Sequence, residues 1–213
     1  MDSQTRNFTP AEAATISGIA VKAVHNAIDK DIVHSIETVG QGRLLKRRLT
    51  REAILELKLW YGIGASLSAS RRQRLFDEIK AKPLAKTVKA DDLLIVDVEE
   101  ARRQIARNFG LLQEAEAAVE VRKEVLGGMP VFKGTRIPVR LIAEMLEQGA
   151  TSQELLEGYP KLGARDLELA KVWAKAHPAV GRPKKAPADG FQLKSRKLLK
   201  LFAETPVRRG GGK

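Results

Sequence analysis

Thirteen residues in the second half of the chain restrict its folding more than any other stretch: Gly127-Gly128-Met129-Pro130-Val131-Phe132-Lys133-Gly134-Thr135-Arg136-Ile137-Pro138-Val139. Glycine permits positive φ, and proline fixes φ near the value a helix entry needs. Short β-branched pieces lie between these residues, and a helical pattern begins directly behind Pro138. The run therefore predicts a strand, a tight turn and a helix start in quick succession.

A chain of 213 residues has room for two small domains and tails rather than one large core. No run approaches the roughly 20 apolar residues of a membrane span. The beginning, MDSQTRNFTPAEA, has no apolar signal core, so a cytoplasmic protein is expected. The chain has no cysteine, which excludes disulfides, thiolate catalysis and thiolate metal sites.

The net charge of +12 is unevenly placed. Residues 1–64 carry 9 basic and 7 acidic side chains, and residues 65–180 carry 19 and 17, so each stretch is +2. Residues 181–213 carry 10 and 2, or +8. Two nearly balanced regions are followed by a basic tail, which suits an anionic partner: nucleic acid or a carboxylate-rich protein.

Near the start, Thr9-Pro10-Ala11-Glu12 predicts a helix, with Thr9 as cap, Pro10 in the first turn and Glu12 closing a capping box. Gly18 ends that helix. A second helix follows from about Val21 to Asp29, with Val21, Val24 and Ile28 at helical spacing and Lys22, His25 and Asn26 outward. Two short helices around a glycine turn are the helix-turn-helix plan, whose second helix enters the major groove. Asparagine can pair bidentately with adenine, which singles out Asn26.

The period then changes to that of a hairpin around Gly40-Gln41-Gly42, whose second strand region carries Arg43, Lys46, Arg47 and Arg48, residues suited to phosphates. Thr50 caps a further helix through about Trp60. This order resembles the winged helix-turn-helix of MerR-like and excisionase-like DNA binders. The bland alternative is a solvated basic hairpin beside ordinary surface residues.

Small residues at 62–68 mark a boundary. A helix over Ser70 to Ala81 is expected, then a connection from Lys82 to Asp92 and a strand at Leu93 to Val98. Glu99 to Glu116 has helical periodicity, with Ile105, Phe109 and Leu112 on one face. Val119 to Val121 offers another strand before the glycine-rich run. Beyond it, helices are expected at Val139–Gln148, after the capping box of Thr151 and Glu154, and at about Ala164–His177.

The words GGMPVFKGTRIPV, followed by a helix, a gap and Gly158-Tyr159-Pro160, resemble the domain-of-unknown-function 433 family over about Asp92 to His177. Such domains occur in antitoxins paired with PIN-domain ribonuclease toxins. The resemblance implies a homeodomain-like trihelical unit and a VapB-like role. Within the motif, Lys133 and Arg136 offer contacts to DNA or a partner, or Arg136 braces the turn through backbone carbonyls. Tyr159 and Trp173 suit a core or dimer interface.

No catalytic constellation is present: His25, His34 and His177 are far apart without ligand spacing, and no nucleotide, hydrolase or metalloprotease motif occurs. The acidic pairs Asp91-Asp92 and Glu99-Glu100 read as solvated. Neither enzyme activity nor a cofactor or metal is expected.

The tail begins with Gly181-Arg182-Pro183-Lys184, too rich in charge and proline to fold alone. Phe191, Leu193, Leu198, Leu199 and Phe202 then alternate with cations that include Arg196, followed by Arg208 and Arg209. An apolar groove beside acidic groups would receive such a segment. The resemblance implies that a PIN-domain toxin supplies it, an arginine or lysine pairing with the toxin's metal-binding carboxylates. The other reading is a DNA arm, since Gly-Arg-Pro-Lys resembles an AT-hook core.

The expected fold class is therefore mainly α with small β elements (α+β). The expected parts are a winged helix-turn-helix (1–64), a helix and linker (65–91), an antitoxin and dimerisation domain (92–178) and a toxin-binding tail (179–213). The expected function is a homodimeric antitoxin of a type II toxin–antitoxin pair. It would inhibit a PIN-domain ribonuclease through the tail and repress its operon by binding operator DNA. Alternatives are a stand-alone transcription regulator and an excisionase-type remodeller of DNA.

Overall fold

The computed structural model describes residues 6–34, 36–39 and 45–179. Among these residues eight α-helices and three two-stranded antiparallel ladders follow one another, a mainly helical chain with small β elements. No helix among them is long and apolar enough to cross a membrane.

Helix α1 (Pro10–Ser17) starts at Thr9, whose hydroxyl accepts from Glu12 N–H at 3.2 Å while the Glu12 carboxylate accepts from Thr9 N–H at 2.6 Å. The chain leaves α1 at Gly18, where φ is +73°, and after Ile19 and Ala20 re-enters a helix as α2 (Val21–Asp29). Glycine is needed there because a Cβ disfavours left-handed backbone. Strands β1 (Ile36–Val39) and β2 (Leu45–Arg48) pair from Ile36↔Arg48 to Val39↔Leu45. Just past β2, Leu49 and Phe8 exchange two backbone hydrogen bonds of 2.8 Å, which return the chain to the start of α1. Helix α3 (Arg51–Gly62) is capped by Thr50, and α4 (Ala69–Ala81) follows a short 3₁₀ turn.

The stretch from Lys82 to Asp92, expected to be a plain connection, contains strand β3 (Thr87–Lys89). It pairs with β4 (Ile95–Asp97), and Val88 and Val96 face each other in the core. Asp91 builds the turn between them: its carboxylate accepts from the N–H groups of Leu93 and Leu94 at 2.8 Å and pairs with Arg71. The acidic pair read as solvated thus includes one structural residue. Backbone donors from Leu93, joined by Arg71 and Leu94, hold the Asp91 carboxyl below the usual range despite the opposing desolvation.

Asp97 caps the long α5 (Val98–Ala117) by accepting from Glu100 N–H at 2.9 Å. Strands β5 (Val119–Glu120) and β6 (Val131–Phe132) flank the glycine-rich loop. The turn after β6 needs Gly134, at φ +75°, whose N–H donates to the Glu120 carboxylate at 2.9 Å. Thr135, rather than Arg136, supplies the bracing: its hydroxyl donates to Phe132 O and accepts from Ile137 N–H. Helices α6 (Val139–Glu147), α7 (Ser152–Gly158) and α8 (Ala164–Ala176) complete the described chain.

Three apolar clusters hold these elements. The first joins Phe8, Ile16, Val24, Leu49, Ile54 and Leu57 with Leu112 of α5 and Ala176 of α8. The second gathers Phe132, Val139, Ile142, Leu155, Leu167 and Trp173. The third packs Leu59 and Leu75 against Val88, Val96 and Val98. Burying one such leucine or valine stabilises by roughly 1.5–3 kcal/mol, so Leu112 ties α5 firmly to the N-terminal helices.

Candidate functional site

Helix α2 turns Val24, Ala27 and Ile28 into the first cluster and leaves Val21, Lys22, His25, Asn26 and Asp29 exposed. At 3.6 residues per turn those five positions form one stripe along the helix. The three outward residues expected from the sequence therefore lie side by side, with Val21 and Asp29 at the ends.

Neighbouring elements fix the stripe in place. The Tyr61 hydroxyl on α3 donates to the Ala23 carbonyl at 2.9 Å, bracing α2 from the side. The Arg47 guanidinium on β2 donates to the Asp29 carboxylate and fastens the hairpin to the end of α2. Lys58 Nζ lies beside the α1–α2 turn, 3.8 Å from where a Cβ on Gly18 would sit. Asn108 of α5 donates to the Ile16 carbonyl at 2.9 Å, occupying an acceptor in the last turn of α1.

The hairpin cations do not form one row. Arg43 lies outside the described residues. Lys46 and Arg47 are exposed, and Arg47 pairs with Asp29. Arg48 is half-buried, 3.8 Å from the Glu12 carboxylate. Strand alternation puts residues 46 and 48 on one face of the ladder and 47 on the other. Val21, grouped by its spacing with Val24 and Ile28, lies instead at the exposed edge of α2, because the first turn of the helix extends past the core. Lys58 and Tyr61 were not singled out, although their three-residue spacing on α3 puts them on one helical face.

A second polar cluster joins the first half of the chain to the second. Arg6 clamps Glu116 of α5 through hydrogen bonds of 2.6 and 2.7 Å and also donates to Glu12 of α1 at 2.8 Å. His177 Nε2, at the end of α8, lies 3.4 Å from Glu116. Burial alone would raise the Glu116 carboxyl, but the hydrogen bonds from Arg6, with the imidazole of His177 close by, outweigh it and hold it at about 2. Ligand atoms of Glu12, Glu116 and His177 come within 4.8 Å of one another, a spacing a metal ion could use. The guanidinium bridges both carboxylates instead, and a cation already placed there opposes a second one. Of the other histidines, His25 and His34 are exposed, and His34 pairs with Asp31 at 3.3 Å.

Residues 119–174 match the family described as "Protein of unknown function (DUF433)". The chain carries a DUF433 domain. It is also 27% identical over 192 residues to "Uncharacterized protein y4eO" of Sinorhizobium fredii, across 81% of this chain and 82% of that protein. Among solved structures, a DUF433 member protein from Anabaena variabilis is 30% identical, covering 36% of this chain and 75% of its own, with a TM-score of 0.28. Rv2018 from Mycobacterium tuberculosis is 17% identical over 80% of this chain and 98% of its own, with a TM-score of 0.34.

The DUF433 domain runs from β5 into α8 and contains the glycine-rich motif. Its Lys133 and Arg136 are exposed, while Trp173 is buried with Arg140 stacked 5.0 Å from its ring centroid. Its last helix is shared: Leu167, Ala170 and Trp173 pack in the second cluster, and Val172 and Ala176 reach the first. The residues expected to bind a toxin, Phe191, Leu193, Arg196, Leu198, Leu199, Phe202, Arg208 and Arg209, lie outside the described residues.

Proposed function

We propose that the chain is a DNA-binding antitoxin. In this reading α1, α2, the β1–β2 hairpin and α3 act as a winged helix-turn-helix on operator DNA. The basic tail of residues 179–213 binds and inhibits a PIN-domain ribonuclease, and the DUF433 domain carries the homodimer contact. The observation that carries the DNA half is the exposed stripe of α2, held between Tyr61 and Arg47. A braced helix with one exposed face loses little conformational freedom on entering a major groove about 12 Å wide. The toxin half rests on the motif resemblance and on the charge and leucine content of the tail.

Co-purification separates the halves. The chain and the product of a neighbouring gene are co-expressed, once at full length and once as residues 1–180. Retention of a nuclease by full-length protein alone supports the tail as the inhibitory element. Retention by the shorter chain removes that role from the tail. If neither retains a partner while the protein still binds its own upstream DNA, a stand-alone transcription regulator is the correct reading.

A further inference from the structure

Building on the DNA-binding reading, we infer that α2 recognises a base sequence containing a thymine and an adenine about two base pairs apart, through Val21 and Asn26. Five residues of helix advance about 7.5 Å, and stacked base pairs are about 3.4 Å apart. The same five residues turn the helix by about 140°, so Val21 and Asn26 stand at the two edges of the stripe. An α2 lying along the groove thus sets them, on its two flanks, against base pairs two steps apart.

The chemistry of each end is specific. Val21 is the first residue of α2 and is 37% exposed, although α2 buries its other large apolar side chains, Val24 and Ile28. Its isopropyl group complements the 5-methyl of thymine, the one apolar feature among base edges in the major groove. Asn26 presents an amide whose oxygen and NH₂ match the donor and acceptor of adenine N6 and N7. Both belong to the exposed stripe, Val21 at its partly covered edge, while Lys22 and His25 between them supply further polar contacts.

Charge points to DNA as the occupant. Lys22 and Lys30 are exposed on α2 and at its end, and Lys58 stands by the turn before it. The one carboxylate of the stripe, Asp29, is neutralised by Arg47 and does not repel phosphates. Lysines position the helix on the backbone; Val21 and Asn26 then choose the bases.

The test uses full-length protein and selection from a randomised duplex pool, then replacement of the enriched thymine by uracil, which removes only the methyl group. The expected result is an adenine and a thymine two positions apart in the selected site. Uracil should weaken binding several-fold for the native chain and leave Val21→Ala unaffected. Asn26→Ala should lose roughly 10- to 100-fold discrimination at the adenine position. Tight binding without this pattern, or equal uracil sensitivity in Val21→Ala, overturns the inference and leaves DNA binding intact. If no duplex is retained by protein whose circular dichroism is native, the DNA-binding reading fails and this inference with it.

Discussion

Arg6 and Glu116 are 110 residues apart in sequence, yet the guanidinium of one grips both carboxylate oxygens of the other, at 2.7 and 2.6 Å. The pair is only partly exposed and also holds Glu12 and His177. It joins the chain start, α1 and the last turn of α5 at one point beside the end of α8. Replacing Arg6 with alanine leaves two carboxylates facing each other without the cation that bridges them. Of cations, Glu12 then keeps only the longer contact to Arg48. The expected loss is about 1–3 kcal/mol in urea denaturation, and a loss within error would mean that water replaces the arginine freely.

Glu116 makes the same contact sensitive to acid. Its folded carboxyl titrates at about 2, below its ordinary value of 4.5. A lowered pKa gives stabilisation that is fully present above about pH 4.5 and is lost as pH falls through 2. The amount expected is on the order of 1–2 kcal/mol, because the group keeps some access to water. Native protein and Glu116→Gln, compared by denaturant midpoint from pH 6 to pH 2, should converge as acid removes the difference. Parallel curves would show that the carboxyl is not ionised at the junction.

Leu112 belongs to α5 but is fully buried among the N-terminal helices. Leu112→Ala should therefore destabilise by roughly 2–5 kcal/mol. It should do so for the whole chain, so that single-tryptophan variants retaining Trp60 or Trp173 report coincident transitions. Separate transitions, with only one of them shifted, would show that α5 does not transmit stability across the clusters.

Gly18 sits at φ +73° with open space around its missing Cβ except for the flexible end of Lys58. Gly18→Ala should cost on the order of 1 kcal/mol, purely from backbone strain. Gly62, with ordinary φ and nothing within 4 Å, is the control, where alanine should be neutral or slightly stabilising. Thermal melts of both variants decide it; equal effects would remove the turn argument.

Tyr61 braces α2 through one hydrogen bond to Ala23. Tyr61→Phe keeps the ring and removes only that bond, so stability should fall by about 0.5–1.5 kcal/mol. If α2 reads DNA, operator affinity should fall further than stability does, which a titration under fully folded conditions measures.

Helix starts and turn positions were written in the sequence. Thr9 with Glu12 and Thr151 with Glu154 make the capping boxes their spacing requires, and Gly18 and Gly134 take positive φ. These features depend on atoms three or four residues apart, so local chemistry alone determines them. The outward face of α2 was legible for the same reason: the spacing of Val24 and Ile28 fixes the opposite side.

Only the tertiary structure decided what those elements meet. Strand β3 has three residues and gains its identity from pairing with β4, which no short window reveals. Arg47 and Arg48 read as a phosphate-gripping row, yet one turns to Asp29 and the other to Glu12, because strand alternation separates them and the fold brings a carboxylate to each side. Leu112 and Ala176 reach the N-terminal core, and Arg6 reaches Glu116, across long loops of chain. Local periodicity says that a side chain is buried or charged. Its partner is set by chain reversals whose closure entropy is offset only when several distant contacts form together.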